Sequence, residues 1–164
     1  MTVISSTKDP GTLTLTLVAQ FDASPDRVWD VWEDPRKLER WWGPPTYPAT
    51  FTRHEFTVGG QSRYHMTGPT GDTPRGWWRI DALDKPRSLR FANGLAGDDG
   101  EPMPGVEPMA GDVTLEAAGG GTLMTVITRF TDVEQMQTML GMGMQEGMTQ
   151  AIGQIDGVLS GAGE

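Results

Sequence analysis

Apolar and polar residues alternate from Thr12 to Phe21, with Leu13, Leu15, Leu17, Ala19 and Phe21 on one face and Thr14, Thr16 and Gln20 on the other. A period of two marks a half-buried strand. The period then lengthens. Ser24-Pro25 sets an N-cap before a proline at the first helical position, and Val28, Trp29, Val31 and Trp32 recur at helical spacing as far as Asp34. Asp34-Pro35 repeats the signal and predicts a second short helix through Leu38 and Trp41, stopped at Gly43-Pro44-Pro45.

Strand patterns resume over 46–58, 61–67, 76–83, 88–93, 112–117 and 122–130, with turns at Gly59-Gly60, Gly68-Pro69, Lys85-Pro86 and the glycines 119–121. Together they predict one antiparallel sheet of seven strands in sequential hairpins. From Asp132 to Ser160, Met136, Met139, Leu140, Met144, Met148, Ala151, Ile152, Ile155 and Leu159 follow an i, i+3, i+4 stripe. This predicts a single long amphipathic helix whose apolar face the sheet must cover. The expected product is an α+β domain over 12–160, preceded by a flexible N-terminus (1–11) and followed by a short tail (161–164).

A chain of 164 residues is the size of one domain. Its 13 basic and 22 acidic residues give a net charge of -9, which repels phosphate backbones and anionic lipid heads. No nucleic-acid or membrane partner is therefore expected. The absence of cysteine removes disulfides, thiol nucleophiles and thiolate metal sites. With neither a signal-peptide pattern nor a long apolar run, a cytoplasmic location is expected. Six tryptophans and ten methionines are the unusual part of the composition. Both residue types fill cores, and both also contact apolar ligands; an exposed patch of them would favour a homodimer.

The turn at Gly59-Gly60, taken as a two-residue hairpin, predicts Glu55 opposite Tyr64, Arg53 opposite Met66 and His54 opposite His65. Tyr64 and Met66 then carry Arg53 and Glu55 onto the inner face, either as a structural ion pair or as a grip on a ligand's polar end. The two histidines share the outer face and, without further ligands, make no metal site. Of the paired tryptophans, one of Trp41 and Trp42 is expected to plug the core and the other to line a cavity mouth; Trp78 is expected inside and Trp77 partly outside. The stretch 94–111 has five glycines, three prolines, four carboxylates and no basic residue, and reads as a loop that is either a lid or plain surface. No nucleotide-binding loop or nucleophile elbow occurs, and no cofactor is expected.

Phe21-Asp22-Ala23-Ser24-Pro25, Val28-Trp29, Arg40-Trp41-Trp42-Gly43-Pro44, Val58-Gly59-Gly60, Gly76-Trp77-Trp78, Pro86-Arg87-Ser88-Leu89 and the segment Gly141 to Met148 resemble, in order and spacing, one known family. It is that of the activator-of-Hsp-90-ATPase homologues, within the START-like, birch-pollen-allergen-like (SRPBCC) superfamily. The resemblance implies a helix-grip fold and, as its leading function, non-enzymatic binding of a small apolar molecule between sheet and helix. The expected walls include Leu15, Leu17, Trp41, Arg53, Glu55, Tyr64, Met66, Trp78, Phe91, Met139, Gly143 and Ile152. Two other readings are a cyclase or hydrolase with Glu55 as general base beside Arg53 or Tyr64, and a chaperone-associated interaction module.

Overall fold

The computed structural model describes residues 3–160; the expected tail, 161–164, lies outside the described residues. Two strands, β1 (Val3–Asp9) and β2 (Thr14–Phe21), lead to α1 (Pro25–Glu33) and α2 (Pro35–Leu38). Six strands follow: β3 (Ala49–His54), β4 (Gln61–Met66), β5 (Arg75–Asp84), β6 (Ser88–Ala96), β7 (Met109–Ala118) and β8 (Gly121–Arg129). The chain ends in α3 (Val133–Gly141), α4 (Met144–Gly153) and α5 (Ile155–Leu159). This is the α+β helix-grip fold, with a curved antiparallel sheet of eight strands.

The eighth strand is β1. Residues 3–9, expected to be part of a flexible terminus, pair antiparallel with β2 along the sheet edge. Residues 5 and 7–9 of that strand are exposed, so it carries no alternating apolar signal. The strand order is β1-β2-β8-β7-β6-β5-β4-β3, so β2 borders β8 instead of continuing into β3. The capped helices α1 and α2 carry the chain from one side of the sheet to the opposite edge. Ser24 Oγ accepts from Arg27 N at 3.4 Å and Asp34 Oδ1 from Arg36 N at 2.9 Å, which fixes both helix starts.

On the inner face Leu15, Leu17, Ala19, Phe21, Met124, Val126, Val113, Leu115, Leu89, Phe91, Ile80, Trp78 and Phe51 form the floor of the core. Val28, Trp29, Val31, Trp32, Leu38 and Trp41 press on it from α1, α2 and the turn that follows. Ala151, Ile152, Ile155 and Val158 cover it from α4 and α5. Truncating one such buried tryptophan to alanine costs about 3–5 kcal/mol. Trp77, expected to be partly outside, is buried on the opposite face with Ala92 and Ala96. It also faces Arg63 across the β4–β5 ladder.

The long C-terminal helix is divided into three segments. Gly143 adopts φ +89°, and α3 stops before it while α4 starts after it. A left-handed residue cannot lie inside a right-handed helix, and glycine takes that conformation without a Cβ penalty. Gly143 is therefore the break and not a point of close approach to the sheet; a Cβ there meets only Glu146 Oε2, at 3.9 Å. Gly147, within α4, has nothing within 4 Å of a Cβ. Among the described residues no helix is long and apolar enough to cross a membrane.

His54 joins β3 to the helical layer. One ring nitrogen lies 2.8 Å from Ser62 Oγ and the other 3.0 Å from the Trp32 carbonyl oxygen. Burial holds its pKa below the ordinary imidazole value; the Trp32 carbonyl and the Asp34 and Glu33 carboxylates act in the opposite sense.

Two expectations follow. Gly143→Ala destabilises the fold by about 1–2 kcal/mol through its positive φ, whereas Gly147→Ala stabilises it by up to about 1 kcal/mol through helix propensity. Thermal unfolding of both variants checks the contrast, and stabilisation at both sites contradicts the break. Because the folded pKa of His54 is lowered, the unfolded chain takes up its proton first as pH falls below 6.5. Stability contributed by the neutral ring is complete above that value and declines below it. As pH falls below 6.5, wild-type melting temperature should fall, and His54→Gln should respond less to the change.

Candidate functional site

The core is filled where α1, α4 and α5 cross the sheet, and it opens where α3 meets α4. There Trp42 and Pro44 approach Tyr64 and Met66 of β4, Asn93, Gly94 and Leu95 of β6, and Met109 of β7. Met139, Met142, Gly143, Met144, Gly147 and Met148 close the other side. The hollow is open to solvent on one side and has a volume of about 260 Å³. A dry apolar cavity of roughly 150 Å³ already accommodates benzene. Among the described residues, no ionisable acid or base other than the Tyr64 phenol lines it, and six methionines do. A second hollow, of about 400 Å³, shares Gly94, Leu95, Met109, Met139 and Met142 with the first and adds Glu107, Asp132 and Glu134.

The segments around Trp42 and Tyr64 are tied to one another. Arg36 Nη2 donates to the Phe51 carbonyl (2.9 Å) and Phe51 N donates to Glu39 Oε2 (3.0 Å), which ties the α2 region to β3. Gln154 Nε2 donates to the Gly43 carbonyl (2.7 Å), linking the C-terminal helix to the turn after Trp42. Trp42 meets Tyr64 edge to face, with ring centroids 6.2 Å apart at 84°. Tyr64 stacks on Phe51 at 4.9 Å and lies over Gly76, where any Cβ would collide with its ring. Gly76 is thus the residue that lets the phenol lie flat on the sheet. Burial pushes the Tyr64 hydroxyl pKa up, opposed by the Trp42 indole, so the phenol stays protonated. The buried Trp42 indole nitrogen lies toward the Tyr64 oxygen, close enough to lower that pKa, but makes no hydrogen bond of ordinary geometry. Asn93 Nδ2 reaches the Met109 carbonyl only at 3.4 Å.

Of the expected walls, Tyr64, Met66, Met139 and Gly143 line this cavity. Leu15, Leu17, Trp41, Trp78, Phe91 and Ile152 are sealed in the packed core instead. Trp41 is the core plug, its Nε1 donating to the Val31 carbonyl at 2.8 Å, and Trp42 is the cavity tryptophan.

Arg53 and Glu55 lie on the outside. Their ion pair spans 3.0 Å with side chains 47% and 49% exposed. The cause is register: Phe51, not Glu55, pairs with Tyr64, and a bulge at Thr52 then sets Arg53 opposite Arg63 and His54 opposite Ser62. Residues 55–60 form a wider connection closed by Glu55 N donating to the Gln61 carbonyl at 2.9 Å. The Glu55 pKa is lowered, first by the Gln61 backbone N–H and then by Arg53, the reverse of what a general base in a dry pocket needs. The histidines do not share a face, since His54 points inward with Ser62 while His65 pairs with Thr50 and Arg75.

Leu95 and Met109 were hidden by the glycine- and proline-rich stretch, while Asn93 closed an expected strand without being singled out. Strand pairing extends into it from both sides, leaving a shorter loop over 97–108. The crowding of Met142, Met144, Gly147 and Met148 was visible as composition, but only the break at Gly143 turns those side chains toward one cavity.

The fold recurs in solved structures. A solution NMR structure of an Arthrobacter aurescens protein is 51% identical, with 99% of this chain and 94% of that one covered at a TM-score of 0.93. A crystal structure of a Mycobacterium smegmatis protein is 40% identical, covering 96% of each chain at a TM-score of 0.89. A Rhodobacter sphaeroides protein, 20% identical over 96% of this chain and 98% of that one, shares the fold at a TM-score of 0.82. Among curated proteins, none matches the chain. Residues 22–160 match the sequence profile described as Activator of Hsp90 ATPase homolog 1-like protein, and the chain belongs to that family.

Proposed function

We propose that the protein binds a small apolar or amphipathic molecule in the cavity between β4, β6, β7 and the junction of α3 with α4. The observation that carries this reading is the lining itself: six methionines and no charged side chain around about 260 Å³. A monomer gains little stability from such a hollow, because unfilled apolar volume forfeits dispersion contacts. Methionine walls conform to varied apolar shapes. The junction at Gly143 gives the wall a flexible corner, and Met142 beside it is 65% exposed. A non-enzymatic carrier or sensor of an uncharged molecule fits these features. The chaperone-associated reading has only the family's name behind it.

The neutral fluorophore N-phenyl-1-naphthylamine should bind with about micromolar affinity and accept energy from the tryptophans. Gly147→Leu, which places a side chain where a Cβ meets open space at the cavity wall, should lower that affinity at least about tenfold while the protein remains folded. Absence of binding to the wild type overturns the ligand reading; unchanged binding by the variant places the ligand elsewhere.

A further inference from the structure

Among the described residues, three buried indole nitrogens make no hydrogen bond of ordinary geometry: Trp32, Trp42 and Trp78. Trp32 and Trp78 lie within the aromatic cluster and do not line the cavity. Trp42 does line it, although only 7% of its surface is exposed. Beside it at the same end stands the Tyr64 phenol, whose ring meets the Trp42 indole edge to face. Stacking on Phe51 and the floor at Gly76 restrict that phenol. Both groups are donors: the indole N–H can only donate, and the phenol is kept protonated by burial. A buried donor left unsatisfied is costly, and an incoming acceptor removes that cost.

We propose that the cavity selects an uncharged ligand bearing a carbonyl-type oxygen, received jointly by the Trp42 N–H and the Tyr64 O–H, with the apolar remainder of the ligand against the methionines. This deepens the binding reading above and rests on it. An anionic ligand is disfavoured on two grounds. Among the described residues, no cationic side chain lines the cavity to offset the burial of a carboxylate. The adjoining hollow presents Glu107 and Glu134, and the chain as a whole carries a charge of -9. Methionine side chains, dominant in the lining, shift at little cost to admit the oxygen to the indole.

The test uses three molecules of nearly one shape: 2-acetylnaphthalene, 2-isopropenylnaphthalene, in which a methylene replaces the oxygen, and 2-naphthoate. Their affinities are measured by tryptophan quenching on the wild type and on Tyr64→Phe. The proposal expects Tyr64→Phe to weaken the ketone about three- to tenfold and to leave the alkene within about twofold. It also expects the naphthoate to bind more weakly than the ketone at neutral pH. In the infrared, the ketone C=O stretch should lie below its value in hydrocarbon solvent when bound to the wild type, which decides the matter even if Tyr64→Phe fails to fold. If the alkene and ketone both bind, but the variant affects them equally and the C=O stretch keeps its hydrocarbon value, the carbonyl assignment falls while the cavity stands. Naphthoate binding as tightly as the ketone overturns the selectivity. If none of the three binds the wild type, the binding reading itself fails, and this inference with it.

Discussion

The packing of Trp32 against its neighbours is the contact on which the rest of the structure depends. Its ring meets Trp41 at 4.7 Å, Trp42 at 6.1 Å, and Trp78 and Phe91 at 6.2 Å each. Trp78 in turn stacks on Phe91 at 4.4 Å and meets Trp42 at 4.8 Å. These pairs fasten the helical segment that follows β2 to β5 and β6, in the half of the sheet remote from β2. Without them the crossing from one side of the sheet to the other edge would have no apolar surface to land on. Aromatic pairs of this kind contribute about 0.5–1.5 kcal/mol each beyond the area they bury. Their bulk also decides where empty space remains, because the middle of the grip is filled and the opening is displaced to the methionine end.

Charge is arranged consistently with that division. Arg90 and Arg129 converge on Asp112 at 2.7 and 3.0 Å, and Arg53–Glu55, Arg79–Asp81 and Arg87–Asp84 are likewise surface pairs. Exposed pairs contribute little to stability but keep ionised groups in water. Inside, burial holds His54 toward its neutral form and Tyr64 protonated. A neutral interior with directional donors suits recognition of an uncharged molecule better than acid–base chemistry, which needs a group able to change charge near working pH.

How much of this was legible in the sequence differed by element, for identifiable reasons. The β2 alternation, the Ser24-Pro25 and Asp34-Pro35 helix starts and the family resemblance all correspond to the fold, since each is a local signal or a sum of them. The β3–β4 register was not legible. A Gly-Gly pair normally closes a tight hairpin, but here Gly60 packs against the Glu55 backbone and its nitrogen donates to the Thr57 carbonyl, so the turn is wider and no longer sets the ladder. The bulge at Thr52 then reversed which of the following residues face inward, moving Arg53 out and His54 in. For the cavity, residue type was a better guide than position: Tyr64, Met66 and Met139 follow from apolar patterning, whereas choosing Trp42 over Trp41 requires knowing which indole reaches the Val31 carbonyl.

The division of the C-terminal helix connects stability with access. Beyond Gly143 the helix is anchored by buried Ala151, Ile152, Ile155 and Val158, by Gln154 bonded to the Gly43 carbonyl, and by Arg27 donating to the Leu159 carbonyl. Before Gly143, Met136 is the one fully buried side chain of α3, and Met139 and Leu140 are only partly covered. Local opening free energy follows buried apolar contact, so α3 belongs to the less stable part of the fold. The left-handed residue between the two parts makes α3 and α4 separate helical segments. A helix that was continuous through Gly143 would couple any movement at the cavity to the aromatic core; the break confines that movement to the methionine wall, where a ligand would need it.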